Sequence, residues 1–260
     1  MCHGVYVSDR LVRHLGENGV LTLRLNRPDK RNAIDTPMID ALLTELDNAD
    51  LDSTVNVVVV RGAGKDFCAG ADLVELLASA DRTPEENAAD AARLGDVFIH
   101  MRDIPKPVVA VVQGRALAGG CGLATACDMV LAREDAVFGY PEVQRGFVPA
   151  MVMAMLTRAV GEKVAFDLVA TGRMLPASEA LAIGLISRVM PSANFEADVA
   201  SVVEQLACAG STTLALIKKQ LYELDGRSFP EAVKLGSEVN AIARSTPSFK
   251  EAVARFLSKE

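Results

Sequence analysis

Two glycine-rich segments of the sequence could present backbone amides to a ligand. They are GKDFCAGADLVEL (64–76) and GRALAGGCGLATACD (114–128), and each follows a strand-like run and leads into a helix-like run. Small residues allow another molecule to approach the backbone, and the first N–H groups of a helix have no partner within it. One N–H from each segment could therefore converge on a carbonyl oxygen and stabilise negative charge on it. Glycines that only relieve crowding between strand and helix are the alternative.

A third segment offers a candidate acid/base. Glu142 stands in FGYPEVQRGFVPA (138–150), among aromatic and branched apolar residues. Apolar surroundings raise the pKa of a carboxyl group and allow proton exchange near neutral pH. A solvated loop glutamate, or one paired with Arg145, is the alternative interpretation.

The periodicity of apolar residues predicts the elements that must position these groups. Apolar or alternating runs predict strands over 20–25, 55–60, 107–114 and 129–132. Helical spacing of apolar residues predicts a helix over 36–49, and a polar, Ala-rich stretch predicts another at about 84–102. Strands joined by crossover helices imply mainly parallel pairing and an α/β fold. Helical signals dominate from about residue 149, with amphipathic runs near 195–208, 212–224 and 231–243. We therefore expect an α/β core over 1–190 and a helical region over 191–260.

Composition argues against several other classes of protein. The 260 residues carry 27 Lys and Arg against 34 Asp and Glu, a net charge of −7, so nucleic acid is not an expected partner. Apolar stretches fall short of the roughly 20 residues of a membrane span, so no membrane partner is expected. The N-terminus lacks a secretory pattern, which predicts a cytoplasmic location. Five dispersed cysteines predict reduced thiols, and the three histidines share no ligand spacing, so no metal is predicted.

The motifs taken together resemble the enoyl-CoA hydratase/isomerase family, also called the crotonase family. The resemblance runs through LRLNRPDKRNAI (23–34), VVVVRGAGKDFCAGADL (57–73), KPVVAVVQGRALAGGCGLATACDMVLA (106–132), the Glu142 segment and GLISRV (184–189). It implies a crotonase-like α/β spiral of ββα units with a C-terminal helical trimerisation region, assembled as a homotrimer or a dimer of trimers. It also implies an acyl-CoA thioester substrate from fatty acid metabolism and no separate cofactor, since CoA is part of the substrate.

The resemblance assigns roles to particular residues of this sequence. It implies that the amides of Ala69 and Gly119 hold the thioester oxygen and that Glu142 moves the protons. The residues implied to line the substrate site are Gly70, Ala71, Asp72, Leu73, Gly122 and Tyr140, with Arg27, Lys30 and Arg31 at the CoA entrance. A capping role for Asp72 and a packing role for Tyr140 are the alternatives, and we favour both.

One position departs from the pattern of the best-known hydratases. Those proteins carry a glutamate directly after GGC, where this sequence has Gly122, and we expect that glycine to leave room beside the acyl chain. Glu142 could activate water to hydrate a 2-enoyl-CoA, including a branched, methylglutaconyl-like one, or catalyse the reverse dehydration, with a second group or a water network supplying what Gly122 cannot. Alternatively it could shuttle one proton, as in Δ3,Δ2-enoyl-CoA isomerases. A catalytically silent acyl-CoA-binding protein is the alternative of another class.

Overall fold

The computed structural model describes residues 5–258 and contains two sheets among many helices. The strands are β1 (Val5–Ser8), β2 (Leu11–Leu15), β3 (Val20–Leu25), β4 (Val57–Gly62), β5 (Val108–Val112), β6 (Arg115–Leu117), β7 (Met129–Arg133), β8 (Val137–Gly139), β9 (Met174–Pro176) and β10 (Arg188–Met190). The helices are α1 (Thr36–Leu51), α2 (Leu73–Ala78), α3 (Pro84–Asp103), α4 (Gly119–Ala126), α5 (Met153–Val160), α6 (Glu162–Thr171), α7 (Ala177–Ala182), α8 (Phe195–Cys208), α9 (Ser211–Glu223), α10 (Phe229–Ser245) and α11 (Pro247–Leu257).

The larger sheet has seven strands in the order β1-β2-β3-β4-β5-β7-β10. The pairs from β3 onward are parallel and the first two pairs are antiparallel, so the prediction of mainly parallel pairing is confirmed. β4 begins two residues later than predicted, and all of its first four valines are buried. A parallel strand covered on both faces has this continuous apolar pattern. The smaller sheet has the order β6-β8-β9, and its strand β6 is part of the second glycine-rich segment.

Apolar side chains cover both faces of the larger sheet. Along β4, Val58 and Val60 join one core cluster and Val57 and Val59 join the other, as the alternation of a strand requires. Helices α1, α3 and α4 contribute to the first cluster, whereas the second is closed mainly by α8. The predicted helical region over 191–260 thus begins with a helix that completes the core, and a domain boundary at 190 stays a prediction.

A buried polar network anchors α9 to the core. The Lys218 ammonium pairs with Asp128 at 2.8 Å and donates to the Met101 carbonyl at 2.7 Å, and the Tyr222 hydroxyl donates to Asp128 at 2.6 Å. Asp128 also accepts from the Val108 amide at 2.7 Å. The two bonds to Asp128 tie α9 to the segment that follows α4, and the bond to Met101 ties it to α3. The C-terminal helices are thus held to the part of the chain that carries the second glycine-rich segment.

The sequence patterns did not predict α11 or the short strands β9 and β10. The last helices expose apolar side chains, including Phe229 and Phe256. Trimerisation through this region stays a prediction.

Within residues 5–258 no single helix has the length and apolarity of a membrane span. The helices Ser192–Cys208 and Ser211–Glu223 together have the length and composition of a span, but they are bent by 99° relative to each other.

Candidate active site

The first glycine-rich segment forms a loop in which the residues before and after Ala71 are hydrogen-bonded to another part of the backbone. The Ile34 amide donates to the Gly70 carbonyl, and the Asp72 amide donates to the Ile34 carbonyl, both at 2.8 Å. These two bonds make a bridge between Ile34 and Ala71. The amide of Ala71 faces away from that bridge and has no hydrogen-bond partner within residues 5–258. It is therefore free to donate to a ligand.

The prediction that Ala69 supplies this amide is wrong. The Ala69 N–H donates to the carbonyl of Arg31 at 3.0 Å, so it is already used inside the loop. Two residues further on, Ala71 has the free N–H. The motif places the donor in CAGAD, but the pairing of the neighbouring backbone decides which of its amides is available.

Asn32 holds this loop in place. Its side chain is fully buried, and its amide nitrogen donates to the carbonyls of Asp66 at 2.8 Å and Phe67 at 3.1 Å. Its backbone lies in the left-handed region with a φ of 55°, which asparagine tolerates better than most residues. Sequence analysis missed this residue, although an asparagine within NRPDKRNA is a signal for such a conformation.

The second glycine-rich segment begins a helix directly against the first. Gly119 is the first residue of α4, and its N–H has no partner in the described chain. Ala118 before it has a φ of 52°, a region that costs free energy for a residue with a side chain. The Ala118 amide donates to the Gly139 carbonyl at 2.8 Å, which holds this turn on the smaller sheet.

The two segments touch where the free amides lie. A Cβ atom built on Gly70 would come 2.8 Å from the Cβ of Ala118 and 3.3 Å from the nitrogen of Gly119. A Cβ atom built on Gly119 would lie 3.9 Å from the nitrogen of Ala71. Only a residue without a side chain fits at position 70, because backbone approaches backbone there. The structure thus brings the free amides of Ala71 and Gly119 side by side.

Glu142 is buried and lacks a partner for one of its oxygens. It lies in a 3-10 turn over Pro141–Arg145, its exposed fraction is 7%, and no described residue donates to its Oε2. Burial raises the pKa of Glu142, and the charge of Arg145 opposes this. Burial also raises the pKa of Cys121 to about 12, with a contribution from the Glu142 charge. Glu142 therefore combines burial, an oxygen without a partner and a raised pKa.

Tyr140 packs in the core. Its side chain is fully buried, and its hydroxyl has no hydrogen-bond partner among the described residues. Burial raises its pKa well above the usual value. The packing interpretation therefore fits Tyr140 better than a place lining an open substrate site.

Arg27 is not a free cation at the CoA entrance, so that prediction is wrong. Its guanidinium pairs with Asp72 at 2.8 Å and with Asp35 at 3.2 Å, and it donates to the Ala33 carbonyl at 2.8 Å. The two carboxylates and the carbonyl use the donors that a phosphate would need. Arg27 instead fixes the loop that carries Ala71.

Asp72 caps α2, as we favoured. Its side chain accepts from the Val74 amide at 2.9 Å. Burial alone would raise its pKa, but this bond and the Arg27 guanidinium lower it. Leu73 follows with an exposed fraction of 55%, and it forms an exposed apolar face with Val74 and Leu77 beside the free amides.

Lys30 and Arg31 are exposed and form no ion pair within residues 5–258. They are available to an anion, so their predicted contact with CoA phosphates stays a prediction. Arg31 has a φ of 50°, which directs its carbonyl to the Ala69 amide.

The prediction that Gly122 leaves room beside the acyl chain is wrong. A Cβ atom at this position would overlap the Cγ1 of Val152, and it would lie 3.4 Å from the Cζ of Phe98. Val152 and Phe98 are both 3% exposed, so the space is filled by apolar side chains. Val152 lies 30 positions later in the sequence, and no local pattern connects it with Gly122.

The described cysteines are all free thiols. Cys68, Cys121 and Cys127 are buried, Cys208 is exposed, and Cys2 lies outside the described residues. Burial raises the pKa of Cys68 to about 12. Within residues 5–258 no three His, Cys, Asp or Glu side chains are grouped as a metal site requires. A reaction without a metal or a separate cofactor stays a prediction.

Comparison with known proteins identifies the family. Residues 16–260 match the family model described as Enoyl-CoA hydratase/isomerase. A Thermus thermophilus protein, provisionally named an enoyl-CoA hydratase, is 41% identical over 92% of this chain and 95% of its own. The mitochondrial enoyl-CoA hydratase of Pongo abelii is 31% identical over 93% and 82%.

Solved structures agree with this assignment. The crystal structure of a Mycobacterium smegmatis enoyl-CoA hydratase superposes with a TM-score of 0.93 at 32% identity, covering 97% of this chain and 98% of that one. A Legionella pneumophila structure, whose name includes crotonase, gives a TM-score of 0.90 at 31% identity and covers 98% of each chain. The chain has the crotonase fold, and it belongs to the enoyl-CoA hydratase/isomerase family.

Proposed function

We propose that this protein catalyses proton transfers on acyl-CoA thioesters through an enolate, and that its main reaction is the reversible hydration of a 2-enoyl-CoA. The observation that carries the proposal is the pair of free amides of Ala71 and Gly119, which lie side by side, and the chain also holds a buried carboxyl group with an unpartnered oxygen at Glu142. The names of the relatives support hydration as the main reaction.

The two amides suit a thioester carbonyl oxygen. Enolisation moves negative charge onto that oxygen, and donors fixed in advance stabilise the charge without reorganising. Removing one such donor typically costs about 3 kcal/mol of transition-state stabilisation. The amides do not choose the reaction, because every reaction through the enolate needs them. The choice belongs to the acid/base group near Cα and Cβ of the acyl chain.

One carboxyl group suffices to add water. The Glu142 carboxylate takes a proton from water as the water oxygen bonds to Cβ and the electron pair of the double bond moves to the thioester. The Glu142 acid then returns that proton to Cα, and the carbonyl is restored. Atoms balance, and both new bonds form on the face that Glu142 occupies. A pKa raised by burial favours this role, since the group must both accept and return a proton.

Isomerisation of a 3-enoyl-CoA is the second candidate. The apolar surroundings of Gly122 favour it, because Val152 and Phe98 offer no polar group to hold a water molecule. Glu142 would then remove a proton from Cα and deliver it to Cγ, which needs no water.

The surroundings of the two amides also suit the rest of an acyl-CoA. Lys30 and Arg31 are exposed and can meet CoA phosphates. The exposed apolar face of Leu73, Val74 and Leu77 can cover a straight or a branched acyl chain. In this proposal CoA enters as part of the substrate, and assembly as a trimer or dimer of trimers uses the apolar surface of the C-terminal helices.

A panel of straight and branched enoyl-CoA thioesters tests the proposal. Wild-type protein is expected to remove the conjugation absorbance of a 2-enoyl-CoA and to yield a 3-hydroxyacyl-CoA, identified by mass. The Glu142→Gln variant keeps the shape of the side chain but cannot transfer the proton, and we expect kcat to fall at least 10²-fold, with binding of acyl-CoA retained.

Three results would contradict parts of this proposal. Gain of conjugation from a 3-enoyl-CoA, with no loss from a 2-enoyl-CoA, would make isomerisation the main reaction. Binding of acyl-CoA without turnover of any thioester would favour the silent binding protein. Unchanged turnover in Glu142→Gln would remove Glu142 from the mechanism.

A further inference from the structure

The thiol of Cys68 joins two separate segments of backbone at the loop that carries Ala71. Its side chain is fully buried, and its Sγ donates to the carbonyl of Asn32 at 3.1 Å and accepts from the amide of Gly70 at 3.5 Å. Burial raises the pKa of Cys68 to about 12, so at neutral pH the sulfur keeps the proton that it donates. Within residues 5–258 the Asn32 carbonyl and the Gly70 amide have no other partner, so both buried groups depend on this thiol.

Gly70 sets the direction in which the Ala71 amide points. The Gly70 carbonyl and the Ala71 N–H belong to one planar peptide group and point in opposite directions. Gly70 has a φ of 96°, and a glycine permits the peptide groups on both sides of it to rotate. The Ile34 amide holds the peptide group after Gly70 at 2.8 Å, and the Cys68 thiol holds the one before it. Without the thiol, Gly70 would keep only its bond to Ile34 among the described residues, and the direction of the Ala71 amide would be less well fixed.

Cys68 also contacts the segment that carries Gly119. Its backbone pairs with β6, since its amide donates to the Arg115 carbonyl at 3.0 Å and its carbonyl accepts from the Leu117 amide at 2.9 Å. A Cβ atom built on Gly120 would lie 2.7 Å from both the Cβ and the Sγ of Cys68, so the first turn of α4 packs directly on this side chain. One buried residue thus contacts both of the loops that supply free amides.

We propose that Cys68 is a positioning residue whose thiol keeps the amides of Ala71 and Gly119 at the spacing that one thioester oxygen requires. The inference rests on the proposed function, because it concerns the donor pair of that site. The thiol is closed off from solvent, so it acts through the backbone of both loops and not on the reacting atoms. Fixed donors stabilise an oxyanion because they need not reorganise, and a loop that has lost a restraint must be ordered again in each turnover.

A matched cavity control accompanies the removal of the thiol. Cys68→Ala deletes both hydrogen bonds, and we expect kcat to fall about tenfold with KM changed less than about twofold, because a misplaced donor loses part of its effect on the transition state. Cys127→Ala removes another buried thiol at the far end of α4, where its Sγ donates to the Leu123 carbonyl at 3.4 Å. Both variants should lower Tm, but Cys127→Ala should keep the wild-type kcat.

Cys68→Ser separates the hydrogen bonds from the sulfur atom. A hydroxyl group can donate and accept as the thiol does, so kcat should stay within about threefold of the wild type. Tm should nevertheless fall, because a hydroxyl group loses more than a thiol on leaving water. Rescue of kcat without rescue of Tm is a result that loss of packing alone does not produce.

The kinetic results can overturn the proposal in several ways. Equal kcat values for Cys68→Ala and Cys127→Ala would do so, and so would a loss confined to KM. A Cys68→Ser variant as slow as Cys68→Ala would show that the hydrogen bonds do not position the loops. If Cys68→Ala does not fold, Cys68→Ser decides alone, because a kcat lowered in it by more than about threefold would overturn the proposal.

The stretching frequency of the thioester carbonyl tests the geometry without turnover. In Glu142→Gln with a bound 2-enoyl-CoA that carries an isotopic label at this carbonyl, two donors should lower the frequency below that of the free ligand, because they polarise the bond. Adding Cys68→Ala should move the band back toward the free value, whereas adding Cys127→Ala should leave it in place. An unchanged band after the addition of Cys68→Ala would overturn the proposal.

The failures of the two proposals are distinguishable. A wild-type protein inert toward every enoyl-CoA would overturn the proposed function, yet the carbonyl band of a bound 2-enoyl-CoA would still report whether Cys68 positions the amides. Wild-type hydration, together with a band that does not respond to Cys68→Ala, would overturn this inference and leave the proposed function intact.

Discussion

The two loops that offer free amides are built in different ways. Around Ala71, buried and charged side chains hold the loop: Asn32 binds its carbonyls and Arg27 joins Asp72 to Asp35. Around Gly119 no charged side chain takes part, and small residues with an unfavourable φ at Ala118 start a helix. A main-chain donor can thus be freed by pairing its neighbours or by being the first residue of a helix. The first arrangement depends on charge and the second on backbone shape.

The largest expected effect comes from removing the Gly119 donor. Gly119→Pro eliminates the N–H at the first position of a helix, where proline is well accepted. We expect kcat to fall about 10²- to 10³-fold. Tm should fall as well, because Ala118, with a φ of 52°, lies outside the extended region that a residue before proline prefers. Gly119→Ala keeps the N–H and adds a Cβ atom whose nearest neighbours lie at 3.8 Å or beyond, so it is the matched control. Equal kcat values in the two variants would show that the Gly119 amide is not a donor.

A smaller effect is expected from the charged loop. Asp72→Asn keeps a side chain that can cap α2 but loses the ion pair with Arg27 at 2.8 Å. The loop that carries Ala71 should become less well positioned, and we expect kcat to fall about tenfold, on the scale of 1.4 kcal/mol. Lys30→Gln serves as a control on the same surface, because it should raise KM for acyl-CoA and leave kcat unchanged. A change confined to KM in Asp72→Asn would contradict a positioning role.

The acid side of the pH profile should report Glu142 alone. Burial raises its pKa, whereas the pKa of Asp72 is lowered and that group stays ionised. Because the carboxylate form of Glu142 is needed to take a proton from water, kcat/KM should fall as pH decreases through the pKa of Glu142. That pKa is higher than the pKa of an ordinary glutamate. A limb at the ordinary pKa of about 4.3 would contradict a buried base.

The same pKa shift predicts a small effect on stability. A glutamate whose pKa is higher in the folded state binds its proton more tightly there, so it stabilises the fold at acidic pH and that contribution is lost as pH rises through the folded value. The side chain of the Glu142→Gln variant does not ionise, so the variant does not lose stability in this way as pH rises. At neutral pH its Tm should equal or exceed that of the wild type, and a Tm several degrees lower would contradict the unpaired state of Oε2.

The sequence predicted elements and motifs better than the contacts between them. β3 and α1 follow from alternation and helical spacing, and both glycine-rich segments were recognised. The choice of Ala69 over Ala71 failed because the pairing of Ala69 with Arg31 is set by the fold and not by the motif. Asn32 and Ala118 both have a positive φ. Asparagine is a residue type that favours this conformation, so Asn32 could be predicted from the sequence, whereas Ala118 could not.

Two further misses have the same physical cause. Arg27 was assigned to a phosphate because its partners, Asp35 and Asp72, are 8 and 45 positions away and come together only in the fold. Gly122 was expected to leave a gap because nothing near it in sequence fills one, whereas Val152 does so from a later segment. Charge and volume at a site depend on such long-range contacts, which a single sequence does not specify.

The central claim is that two amides from differently built loops hold one thioester oxygen. A crystal structure of the Glu142→Gln variant with a bound 2-enoyl-CoA tests it most directly. The account predicts the carbonyl oxygen at about 2.7–3.1 Å from the nitrogens of both Ala71 and Gly119, with the Ala69 amide still bonded to Arg31. A carbonyl oxygen bound to neither amide, or held by Ala69 after its release from Arg31, would contradict it.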